Sequence, residues 1–148
     1  MKPLRLLGVV ACLAALAAAP ARAADPSGPD EVPIEVTVLQ TSDQPGESDP
    51  RCERFEKILR GQIAYGSLAI LEVHKRSVPV NEVWTLDLPT QRTLQVRPLD
   101  VDRESGTLLS LDVEESMQGD FRVRRGQPLV IGGPRLGEGR LVVVVDTE

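Results

Sequence analysis

Few side chains in this sequence are suited to chemistry. His74 is the single histidine, and the two cysteines are Cys12 and Cys52. A Ser-His-Asp or Cys-His mechanism needs an imidazole as general base, so any such reaction must run through His74. Gly66-Ser67 does not sit in a Gly-x-Ser-x-Gly elbow, the strand-to-helix turn that presents a nucleophilic serine. Cys52 falls near the expected start of a helix, where a thiol ionises more easily. It also shares a helical stripe with Phe55 and Leu59, which predicts a buried, inert side chain. In SLAILEVHK, residues 67–75, His74 has the strand parity of Ile70 and Glu72 and is expected to be exposed beside Glu72.

Three clusters could hold a ligand. Gly132-Gly133-Pro134-Arg135-Leu136-Gly137-Glu138-Gly139 follows an apolar run, as a phosphate-cradling loop does. Such a cradle needs a helix directly after it to aim N–H groups at the anion. A β-branched run follows instead, so the segment reads as a glycine-rich connection between antiparallel strands. Asp100, Asp102 and Glu104 stand at i, i+2 and i+4, as in the opening of a calcium loop. The glycine comes one residue late at Gly106, and Leu111 occupies the place of the bidentate glutamate, so a solvated hairpin loop is expected. Arg122, Arg124 and Arg125 form a basic cluster. A hairpin around Met117 would set Asp112 opposite Arg124 and Glu114 opposite Arg122, which makes these charges register pairs rather than an anion site. One histidine and Cys52 cannot build the usual Cys/His zinc shells. Phe55, Tyr65, Trp84 and Phe121 are the only aromatics, too few on wet faces for a sugar platform. No catalytic, cofactor-binding or metal-ligating residue is assigned, and no cofactor is expected.

The elements that position these residues follow from periodicity. Ile34, Val36 and Val38 alternate with Glu35 and Thr37, which predicts a strand with one buried face. Thr41 to Asp49 is a loop by composition. Asp49 can cap a helix with Pro50 at its first position, and Gly61 can end it about three turns later. Beyond the helix the chain reads as short strands. They are centred on 67–75, 80–88, Leu94 and Val96, Leu109 to Val113, Phe121 and Val123, Pro128 to Ile131, and Leu141 to Val145. The last is apolar throughout and is expected to be central in a sheet. The fold class is mainly β: an antiparallel β-sandwich or open barrel with one short α-helix packed against it.

The amino terminus bears on location. Lys2 and Arg5 precede an uncharged apolar run from Leu6 to Ala19, and Ala21-Arg22-Ala23 has the small-x-small form of a cleavage site. This is the pattern of a secretory signal peptide over residues 1–23, cleaved after Ala23. The run is shorter than the roughly 20 residues of a membrane span. Cys12 offers a loose lipoprotein site, but the apolar run continues past it. Residues 24–32 then form a flexible lead-in, and residues 33–148 a single β-rich domain. Without residues 1–23 the chain keeps 14 basic residues against all 22 acidic ones, a formal charge of −8. That balance disfavours nucleic acid as a partner. Cys52 alone cannot form an internal disulfide.

DPRCERFEKILRGQIAYGSLAIL, LDLPTQRTLQVRP and GQPLVIGGPRLGEGRLVVVV together resemble small exported bacterial β-rich proteins of no assigned activity. The resemblance covers most of residues 33 to 146 and rests on structural motifs. It implies a periplasmic or secreted β-rich domain and transfers no catalytic residue. The expected function is that of a non-enzymatic periplasmic or secreted protein-interaction domain, an accessory subunit of a bacterial envelope assembly with a protein partner in the cell envelope. The alternative is a small-ligand or calcium-binding periplasmic domain using loops 100–106 and 132–139.

Overall fold

The computed structural model describes residues 30–148, so the expected leader peptide, its cleavage site, Cys12 and most of the lead-in lie outside the described residues. Eight strands follow in order: β1 Glu31–Ser42, β2 Ser67–Pro79, β3 Trp84–Asp87, β4 Thr93–Asp102, β5 Gly106–Val113, β6 Met117–Val123, β7 Leu129–Leu136 and β8 Gly139–Thr147. Between β1 and β2 a 3-10 turn, Pro50–Cys52, runs into helix α1, Glu53–Leu59. The strands form two open antiparallel sheets, β2-β1-β8-β7 and β3-β4-β5-β6. The second sheet is a plain meander. In the first, the first and last of the described strands meet, because β8 pairs with β1 from Ile34↔Thr147 to Ser42↔Gly139.

Alternation along the strands builds the core between the sheets. Val32, Ile34, Val36 and Val38 of β1 and Leu141, Val143 and Val145 of β8 pack against Trp84, Leu94, Val96, Leu109, Leu111 and Val123. The intervening residues of the second sheet, such as Thr85, Gln95 and Arg97, face solvent. In the first sheet, both faces of β1 and β8 are buried. Leu39, Leu68, Val142 and Val144 meet Cys52, Phe55 and Leu59 in a second cluster under the helix. The fold is therefore a sandwich with a short helical layer laid on one outer face.

The helix begins as its sequence predicts. The Asp49 carboxylate accepts from the Arg51 N–H at 2.9 Å, Pro50 follows it, and Gly61, with φ +93°, ends the turn. The central position of β8 also agrees with its uninterrupted valines. Several boundaries differ from expectation. Glu35 and Thr37 were expected on a wet face and are buried at 7% and 1% exposure, because the helix covers that side of β1. The strand expected over 80–88 starts only at Trp84, since Asn81 takes φ +70° in a turn. The β5–β6 hairpin closes earlier than expected, at Glu115 with φ +57° instead of around Met117, and there the Ser116 N–H donates to the Val113 carbonyl at 2.9 Å. Asp112 consequently faces Gln118, and Arg122 faces Leu108, so the expected Asp112–Arg124 and Glu114–Arg122 pairs do not form. Gly119, which resembles a turn residue, lies inside β6. The Phe121 ring lies where a Cβ on it would project, at 3.1 Å.

Candidate functional site

Four strands have an open edge, and they differ in how well that edge is guarded. β3 has only four residues. β6 carries Asp120 and Arg122 along its outward run. β7 contains Pro134, and its ladder with β8 is irregular between Gly132 and Arg135. β2 is the longest strand at 13 residues, and its partner β1 covers only one side.

The start of that edge is capped from within. The Asp49 N–H donates to the Leu68 carbonyl at 3.0 Å, and Ser48 Oγ accepts from the Leu68 N–H at 3.1 Å. Ile70 packs against the apolar cluster that contains Cys52. The capping segment stops there, and residues 71–77 run on with no strand beside them. Leu71 and Val73 are two of the four large apolar side chains that stay exposed among the described residues, at 38% and 48%. Leu71 is the extra residue of a bulge, skipped where Val38↔Glu72 passes to Leu39↔Ile70. Val73 stands opposite Thr37 on the helix-side face, beyond the reach of the helix. On the other face Glu72 and His74 stand opposite Val38 and Val36, and His74 Nε2 lies 3.0 Å from Glu72 Oε2. Arg76 follows at the next position of that face and is exposed. The edge thus offers apolar groups on one face and an acid–base series on the other.

The side chains singled out from the sequence lie elsewhere or are already engaged. His74 is paired with Glu72 as expected, but it is half-buried, and Leu71 and Val73 of the opposite parity are the more exposed. Cys52 is fully buried, and burial pushes its thiol pKa up, with the Asp49 carboxylate adding to the effect. His74 and Cys52 lie toward opposite faces of the first sheet and are not brought together. The expected loop at 132–139 is mostly strand. β7 continues to Leu136, and only Gly137 and Glu138 form the turn, Gly137 with φ +61°. At 100–106, Asp102 Oδ1 accepts from the N–H groups of Ser105 and Glu104 at 2.8 and 2.7 Å, and these bonds hold its carboxyl below the usual range. Arg122 reaches Ser105 Oγ at 2.9 Å and lies 3.8 Å from Asp100. Among the described residues no three His, Cys, Asp or Glu side chains converge on a common metal position. A cleft of about 560 Å³ opens at this end of the sandwich, but it mixes Arg103, Arg124 and Arg125 with Asp102, Glu104 and Glu148 and so favours neither sign of ligand.

One charged group escaped the sequence reading. Glu35 is buried and sits between Arg54 of the helix and Lys75 of β2, whose Nζ lies 2.6 Å from Oε2. Burial raises its pKa, but the bonds and charges of Lys75 and Arg54 outweigh that and leave it lowered. Alternation predicted a solvated position. The available signal was the pair of basic residues at 54 and 75, which lie far apart in sequence until the helix folds back.

No helix among the described residues is long and apolar enough to cross a membrane. Comparison of the chain with protein-family models, with curated proteins and with solved structures finds no match.

Proposed function

We propose that this chain is a non-enzymatic interaction domain of the bacterial envelope, exported by its leader, that works by taking an extended segment alongside residues 71–77 of β2. The observation that carries the reading is the edge itself. A long strand leaves a row of main-chain groups without a neighbour, and Leu71 and Val73 stay exposed beside them. Strand addition satisfies such groups with a second backbone, while alternate side chains supply selectivity. Of the four open edges β2 is the longest, and the other three carry none of the exposed large apolar side chains, which directs addition to this one. The leader pattern and the acidic balance support an exported chain whose partner is a protein. On this reading His74 and Cys52 have structural roles.

The reading is tested by a photo-cross-linking residue placed at Val73 or, as a control, at exposed Thr85 on the outer face of the second sheet. The full chain is expressed in its native cells. Capture of a discrete adduct from Val73 and none from Thr85 is expected. Capture from neither, or equally from both, removes strand addition at β2.

A further inference from the structure

We infer that the segment added at β2 is β2 of a second copy, so that two chains join their first sheets across a two-fold axis. The inference rests on the edge reading above and names its partner. Two constraints select one register. The main chain of Leu68 is already bonded to Ser48 and Asp49, and Ile70 packs in the cluster that holds Cys52, which leaves residues from 71 onward free to pair. An antiparallel pairing centred on Val73 would push the second copy into the Ser48–Cys52 segment. A pairing centred on Lys75 would set Lys75 against Lys75, placing like charges face to face.

The register centred on His74 meets neither obstacle. It spans residues 71–77 of each copy, sets Glu72 opposite Arg76 of the second copy twice over, and places the two His74 rings at the axis between them. On the other face Val73 lies across the aliphatic stem of Lys75 from the second copy, whose ammonium stays with Glu35. Leu71 lies across Ser77. Arg76 has no ion-pair partner within its own chain among the described residues, and this register supplies one. The far edge of the same sheet, β7, is irregular and contains Pro134. Head-to-tail stacking of β2 on β7 is therefore disfavoured, and the pairing closes as a dimer instead of growing into a fibre.

Sedimentation of the chain lacking residues 1–23 at tens of micromolar tests the inference. A dimer is expected for the wild type. Glu72→Arg and Arg76→Glu should each weaken dimerisation about tenfold or more by opposing like charges. The double variant E72R/R76E restores both pairs and should recover the dimer. Circular dichroism and melting of each variant establish that it is folded. A monomeric wild type, single variants that dimerise as before, or a double variant that stays monomeric each overturn self-pairing. If a monomeric wild type still yields an adduct of a different mass through Val73, strand addition stands and only the second copy is wrong. If it yields no adduct, both readings fall.

Discussion

Glu35 shows how one residue can tie two layers together. Its carboxylate is removed from water on the outer face of β1, a cost that only close positive charge can offset. Arg54 comes from the helix and Lys75 from the neighbouring strand, so the group links α1, β1 and β2. Thr37 adds a hydroxyl donor at 3.4 Å. Because its folded pKa lies below the ordinary 4.5, Glu35 contributes stability in full above that value, and the contribution is lost as pH falls through the folded pKa. Glu35→Gln removes the charge while keeping the shape. It should cost about 1–3 kcal/mol near neutral pH, measured by urea unfolding. The gap between wild type and variant should close on acidification as the wild-type carboxyl is protonated. A gap that persists at the acid end would mean that packing, not charge, explains the loss. Arg54 and Lys75 remain largely in water, so the variant strands no buried cation. Strand alternation gave the wrong environment for Glu35 because it describes one sheet face, and the helix that covers the other is visible only in the folded chain.

The elements themselves are well marked where a local rule decides them. Asp49-Pro50 starts the helix, alternation locates β5, and the run of valines marks β8 as internal, all properties of neighbouring residues. Register is set at longer range and was misread in one hairpin. The sequence points to a turn around Met117, yet Met117 opens β6 and Glu115 takes the turn, while the missing side chain of Gly119 makes room for Phe121. The edge at 71–77 was legible only as a strand, since its exposure depends on where the Ser48–Cys52 segment stops. The glycines near the carboxyl end likewise have unequal roles. Gly139 opens β8 where it passes β1, and a Cβ there would fall on the Thr41 carbonyl oxygen. Gly139→Ala should therefore force β1 and β8 apart and cost about 3 kcal/mol or more. Gly132 has open space around its missing side chain and no positive φ. Gly132→Ala should change stability by no more than about 0.5 kcal/mol. Thermal melts of the two variants separate these outcomes. Equal losses would show that the segment is sensitive as a whole and that close approach at Gly139 is not the cause.

At the scale of the whole molecule, the two apolar clusters share their central strands. Val36, Val38, Val143 and Val145 face the second sheet, while Leu39, Val142 and Val144 of the same two strands face the helix. Neither cluster can be dismantled without exposing the back of the strands that hold the other. The helix is too short to persist alone, since isolated helices below about 12–15 residues are marginal in water. Its ten residues from Pro50 to Leu59 depend on Phe55 and Leu59 being covered by the sheet. The molecule should consequently unfold as one unit. The chain carries a probe in each cluster. Trp84, the only tryptophan, reports the space between the sheets. Cys52, the sole thiol once residues 1–23 are removed, reports the space under the helix, and its buried, hard-to-ionise sulfur should resist alkylation in the native state. Tryptophan emission and thiol accessibility, followed through one urea titration, should trace superimposable transitions. If Cys52 becomes reactive at urea concentrations that leave Trp84 unchanged, the helical layer opens separately. The Ser48–Cys52 segment that shields the start of β2 would then leave with it, and the free edge would lengthen from residue 71 back to Ser67.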